Sequence, residues 1–313
     1  MKMKKSSIIG GILVAIGVIA IVLSFALAGC NFKNYANKGN SFVYTDDDYV
    51  ERNYTATSDI KNLVVDCSSD TCRIVSGNVD TIEIKYFENE TQKYDIEEKG
   101  DTLTVKRLSN DGVKFRIGID FSFKDVKMEI TVPKSFNGEV DTDFSSGAIS
   151  VEGLNTEKLT VKCTSGAVNV EDIECEGDVF VKASSGAVNV ADVECADFTC
   201  EASSGAVNVD NVKCENYNSR CSSGLMRISD VKAEDIEFKS TSGEVFITRI
   251  DAAKSIKGNC TSGEIRGTIV GDEDDFSIIA DTTSGSCNLK NSRTGNKTLD
   301  VETTSGDIHI TFE

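Results

Sequence analysis

Eleven cysteines, one histidine and two acidic runs are the side chains of this 313-residue chain that could do chemistry, and their spacing limits what that chemistry is. With His309 alone, one chain cannot build a His-based triad or a multi-His metal centre. No two cysteines stand as C-x-x-C, so a zinc ribbon is not supported. Cys175, Cys195 and Cys214 each lie nine residues after a Ser-Gly glycine, and Cys163, Cys221 and Cys260 each lie three before one. Such regular placement predicts columns of small buried thiols. Cys67 and Cys72 flank one turn and form the best-placed pair for a disulfide, which export would favour. The acidic runs at 45–48 and 271–275 offer carboxylate oxygens to Ca²⁺ but lack EF-hand or RTX spacing, so they read as solvated loops. In Ser-Gly pairs that follow Ser or Thr, Ser precedes glycine nine times, at 146, 165, 185, 204, 223, 242, 262, 284 and 305. A nucleophilic serine is single and paired with a base. A repeated one is expected to satisfy turn backbone. No catalytic, cofactor-binding or metal-binding residue is predicted.

The elements that must position these residues come from a repeat. Ser-Gly glycines stand at Gly147, Gly166, Gly186, Gly205, Gly224, Gly243, Gly263, Gly285 and Gly306, spaced 19, 20, 19, 19, 19, 20, 22 and 21 residues apart. A period near 20 is the mark of a solenoid. Seven residues before each glycine stands an apolar residue, as at Leu159, Val179 and Phe198. Two and four residues after it, apolar residues stand again, including Val188 and Val190, Cys287 and Leu289. At the position between, polar residues such as Asn169, Asn189, Asn208, Arg227 and Arg266 point outward. Alternation with period two makes strands with one buried face. Each unit therefore reads as strand, tight turn at a positive-φ glycine, strand, second turn and next coil. Like residues stack in columns, and nine coils at ~4.8 Å give roughly 43 Å. A leucine-rich repeat fails, because Leu is sparse and the Asn points out.

The predicted fold is thus all-β: a single-stranded-type parallel β-helix, or β-solenoid, with coils of ~20 residues. Residues 134–313 hold the nine Ser-Gly coils, and 43–133 form an N-terminal β cap continuous with the core. Within that cap Asp70 stands where a coil would have glycine, and the single proline, Pro133, closes its last strand. Residues 32–42 read as a linker. Residues 6–31 carry no charge behind a Lys-rich start, long enough for a transmembrane helix. Leu27-Ala28-Gly29-Cys30 also resembles a lipobox, with Cys30 the lipidation candidate. Either anchor, an uncleaved helix or a lipoprotein signal in 1–31, places the rest outside the cytoplasmic membrane. A net charge of −18 argues against nucleic acid as a partner.

The serial [ST]-S-G-x-V units, the apolar N-terminus and the β-rich lead-in resemble a bacterial family of unknown function labelled "putative adhesin". Asp307 in "TSGDIHI" matches the family form; the middle units, with Ala at that position, depart from it. The resemblance implies a membrane-anchored β-solenoid and carries no site residues. The expected role is non-enzymatic: an adhesin, or an envelope scaffold that contacts wall polymer or envelope proteins. The alternatives are an accessory or sensor subunit of an envelope-stress system and, from another class, a polysaccharide-acting β-helix enzyme.

Overall fold

The computed structural model describes residues 49–68, 70–90, 92–108 and 128–313. The anchor, Cys30, the linker and the acidic run at 45–48 lie outside the described residues. No helix among the described residues is long and apolar enough to cross a membrane. Tyr49–Glu313 forms one compact unit, a β-solenoid with a single short 3-10 turn, Glu273–Asp275, among the described residues.

Coils pair in parallel and in register. Val179 lies between Leu159 and Phe198, and Val188 between Val168 and Val207. All six of these side chains are buried, as the alternation predicts. Burying one such side chain is worth about 1.5–3 kcal/mol. Here the burial requires the coils above and below, so no coil is stable alone. One apolar cluster runs from Ala56 in the cap to Ile310 in the last coil.

The glycine column does more than turn the chain. Gly147, Gly166, Gly186, Gly205, Gly224, Gly243, Gly263 and Gly306 all have φ between +106° and +152°. A Cβ on Gly186 would also lie 1.8 Å from the carbonyl oxygen of Gly166, and one on Gly205 1.9 Å from that of Gly186. The backbones touch at this corner, so a side chain is excluded by space as well as by φ. Asp70 begins the column, pairing with Gly147. Its carboxylate enters the cap, where it accepts from Gln92 Nε2 (2.8 Å) and Arg107 Nη1 (3.2 Å). A second corner, six residues after the glycine, holds Gly153, Asp172, Asp192, Asn211, Asp230 and Arg249, all with φ of +49° to +65°. Asp and Asn are the side-chain-bearing residues that tolerate this conformation best. Arg249 is the exception, and its guanidinium is held by Asp230 Oδ1 (Nε 2.7 Å).

Both ends depart from a stack in chain order. At the start, Asn62–Cys67 and Asp70–Gly77 lie directly on the Gly147 coil, in parallel register. Thr102–Leu108 and Met128–Pro133 form the next layer out. Antiparallel partners follow, Lys93–Lys99 on the first and Glu83–Glu88 on the second, and Val50–Thr55 lies antiparallel outside Glu83–Glu88. At the other end, the last coil is inserted. Lys297–Ser305 pairs with Val245–Ser262 on one side and with Phe276–Ser284 on the other. Ser262 therefore meets Ser305, not Ser284. Eight of the nine Ser-Gly units make complete turns, and the Gly285 unit supplies only its first strand.

Cys287 and Leu289, expected in the core, lie half-buried outside strands, because residues after Gly285 turn back over the edge. Ile278 and Ser292 exchange backbone hydrogen bonds at 3.1 and 3.0 Å, and Asn291 Oδ1 accepts from Ala280 N–H at 2.7 Å. This flap occupies the unpaired edge that would otherwise recruit another strand. Gly267, also placed in an inward apolar column, is a positive-φ glycine pressed on Ile247, where a Cβ would lie 1.6 Å from the carbonyl oxygen.

The inserted order has a measurable consequence. Lys297–Ser305 has a partner on each side, whereas Phe276–Ser284 has one strand and a flap. Hydrogen exchange followed by mass spectrometry should find amides of 297–305 exchanging more slowly than those of 276–284. The reverse ranking would restore chain order.

Candidate functional site

The outward positions of the second strand form the most regular polar surface of the solenoid. Stacking places Ser150, Asn169, Asn189, Asn208, Arg227, Phe246, Arg266 and His309 in one column. Neighbouring coils bring their side chains close enough to bond. Asn189 Nδ2 donates to Asn169 Oδ1 at 2.8 Å, and Asn208 Nδ2 to Asn189 Oδ1 at 2.9 Å. Arg227 Nη1 reaches Asn208 Oδ1 at 3.5 Å. The parallel column two residues on holds Glu152, Glu171, Ala191, Asp210 and Ser229. The two columns line a shallow groove of about 400 Å³.

Its two ends differ. At the first, Glu152 accepts from Arg73 Nη2 (2.6 Å) and Ser150 Oγ (2.7 Å). Those hydrogen bonds, Arg73 first, hold the Glu152 carboxyl below its ordinary range. At the second, the Phe246 ring lies between two guanidiniums, 4.4 Å from Arg266 and 5.9 Å from Arg227. Each Asn amide has two donor hydrogens and two acceptor lone pairs, and the ladder occupies about half. The groove thus presents amides that give and accept facing carboxylates that only accept. Such groups suit hydroxyl-rich ligands, and in the hydroxyl–carboxylate contact of Ser150 with Glu152 the carboxylate is already tied to Arg73.

The thiols are inward, as their spacing predicts, with one correction. Cys163, Cys175, Cys195, Cys200, Cys221 and Cys260 are buried, but Cys214 is only half-buried. Two of the thiols three before a glycine touch turn carbonyls: Cys221 Sγ lies 3.6 Å from Gly205 O, and Cys260 Sγ 3.5 Å from Gly243 O. In the serine column, Ser146 Oγ donates to Ser68 O at 3.1 Å. Cys67 and Cys72 are both buried and stand as free thiols. Burial pushes Cys67 and Cys200 up to about 12 and raises Cys72 well above the ordinary thiol range. Cys195 is raised by its hydrogen bond with Cys214 and then by burial.

In the loop at 271–275, Asp275 Oδ2 accepts from Asp272 N–H at 3.2 Å, so these carboxylates cap the short turn. Among the described residues, no group of three or more His, Cys, Asp or Glu is gathered as a metal site would need. His309 is exposed and outward, in register with Arg266.

The model of the Toastrack DUF4097 family matches residues 60–311. The chain belongs to that family. The solved structures to which the chain is similar are distant in sequence. A "putative adhesin" from Parabacteroides distasonis is 11% identical over 83% of this chain and 96% of its own, with a TM-score of 0.50. One from Parabacteroides merdae is 13% identical, covers 85% and 97%, and has a TM-score of 0.49. A "putative lipid binding protein" from Parabacteroides distasonis is 16% identical over 85% and 98%, with a TM-score of 0.45. At 11% identity the first of these likenesses speaks to the fold alone. No curated protein matches this chain.

The second corner, with its run of Gly, Asp, Asp, Asn, Asp, was missed from sequence. The signal was there, six residues after each glycine. The thiols supply the test of the register. Maleimide labelling of the native protein at pH 8 should reach Cys214 and Cys287 first, among the described cysteines. Cys195 and Cys200 should need unfolding. Labelling of Cys200 as fast as Cys214, mapped by peptide mass, would show that the inward column is wrong.

Proposed function

We propose that this family member is a non-enzymatic binding or scaffold protein of the bacterial envelope, tethered by residues 1–31 with the solenoid outside the cytoplasmic membrane. The uncharged run at 6–31 motivates the tether. The groove beside the Asn169–Asn189–Asn208–Arg227 ladder carries the binding reading, because it repeats one set of polar groups from coil to coil. A site for catalysis needs a unique cluster. A repeated stripe serves an extended partner.

Envelopes from cells lacking the chain should co-sediment with the full-length protein. Asn189→Arg with Asn208→Arg, which fills the groove, should abolish most of that binding. Thr160→Arg with Thr199→Arg, on the outward face of the first strand, should leave it intact. Equal loss from both pairs, or from neither, would contradict the reading. On intact cells, a membrane-impermeant amine reagent should label lysines in 128–313; protection of all of them would contradict the topology.

A further inference from the structure

We propose that the groove binds an uncharged, extended, β-linked polysaccharide, with one sugar ring per coil from Ser150 to Ser229. This inference rests on the binding reading above and names its ligand class.

Three observations converge on it. The first is the step. Neighbouring strands lie ~4.8 Å apart, so the ladder repeats its amide at that interval. A β-linked polysaccharide in an extended form advances by nearly the same distance per ring. An extended peptide presents side chains on one side only every ~6.7 Å, and falls out of phase within two coils. Five coils give a bound length of roughly 19 Å, enough for about four or five rings.

The second is the chemistry of the two walls. A sugar hydroxyl both donates and accepts. Asn169, Asn189 and Asn208 offer N–H and C=O on one wall, while Glu171 and Asp210 offer acceptors on the other. A ring hydroxyl between them can donate to a carboxylate and accept from an amide. The ladder's own hydrogen bonds, at 2.8 and 2.9 Å, fix each amide before the ligand arrives. That lowers the ordering cost of binding.

The third is charge. Glu152 is paired with Arg73, but Glu171 and Asp210 face the groove, and the chain carries −18 in all. An anionic polymer would be repelled where it passes Glu171 and Asp210.

The test is isothermal titration of the full-length chain with β-1,4-linked oligomers of glucose and of N-acetylglucosamine, from dimer to hexamer. At least one series should tighten by about tenfold or more from dimer to hexamer, as successive rings engage successive coils. Asn189→Ala should weaken the hexamer by about tenfold, with an unchanged melting curve, and Thr199→Ala should leave it unchanged. If Asn189→Ala were to unfold, the length series and Asp210→Asn, which exchanges an acceptor for an amide of the same size, still decide. No binding of either hexamer, no dependence on length, or tighter binding of octalysine or polygalacturonate would overturn the proposal. Envelope co-sedimentation that persists in that event would show the ligand class to be wrong and the groove right; loss of both would remove the binding reading itself.

Discussion

The backbone contact at the glycine corner is the constraint on which the rest depends. From Gly147 to Gly306, a Cβ on almost any member would land about 2 Å from the carbonyl of the glycine stacked against it. The corner can close only if every coil has glycine at the same place. Once it closes, each residue is set over its counterpart in the next coil. The apolar columns, the thiol columns and the Asn ladder are consequences of that one registration. Asp70 marks its limit, since it begins the column and carries a side chain held by Gln92 and Arg107.

Registration has different effects inside and outside. Inside, it lets small and large residues share a column, because neighbours compensate. Phe198 and Tyr217 stack at 5.3 Å, while Gly258 leaves room for the Phe238 ring in the adjoining coil. Outside, it turns single polar residues into continuous lines. One exposed Asn on a strand is an ordinary solvated side chain. Three in register form a ladder of bonded amides with a defined direction, and with it a groove that no single coil possesses. The binding surface is therefore a property of the stack.

Much of this was legible in the sequence. The glycine spacing and the two-residue alternation point to the solenoid, and Asp70 was recognisable as a coil without its glycine. The outward Asn positions were readable too, though not the groove, which needs the acidic column beside them. What the repeat could not tell was the order of stacking. "TTSG" before Gly285 and "TTSG" before Gly306 are identical, so either strand fits on the Gly263 coil by side-chain pattern alone. The choice is made by the segments between. Residues 286–296 are polar and poor in alternation, and they fold back as a flap instead of completing a coil. Local periodicity specifies which residues face inward, and it is silent about which coil is next to which.

The central claim is that close backbone stacking, beyond positive φ alone, demands glycine at this corner. Gly205 and Gly271 separate the two effects. Both hold a φ that side-chain-bearing residues rarely adopt, at +137° and +117°, but a Cβ on Gly271 meets first the Asp275 carboxylate, at 3.1 Å, whereas one on Gly205 meets Gly186 O at 1.9 Å. Denaturant unfolding of the full-length chain should show Gly271→Ala costing about 1–3 kcal/mol, the usual cost of a backbone held in such a region. Gly205→Ala should cost several times more, because the coils on both sides must separate to admit the methyl group. Equal losses of stability from the two substitutions would contradict the account.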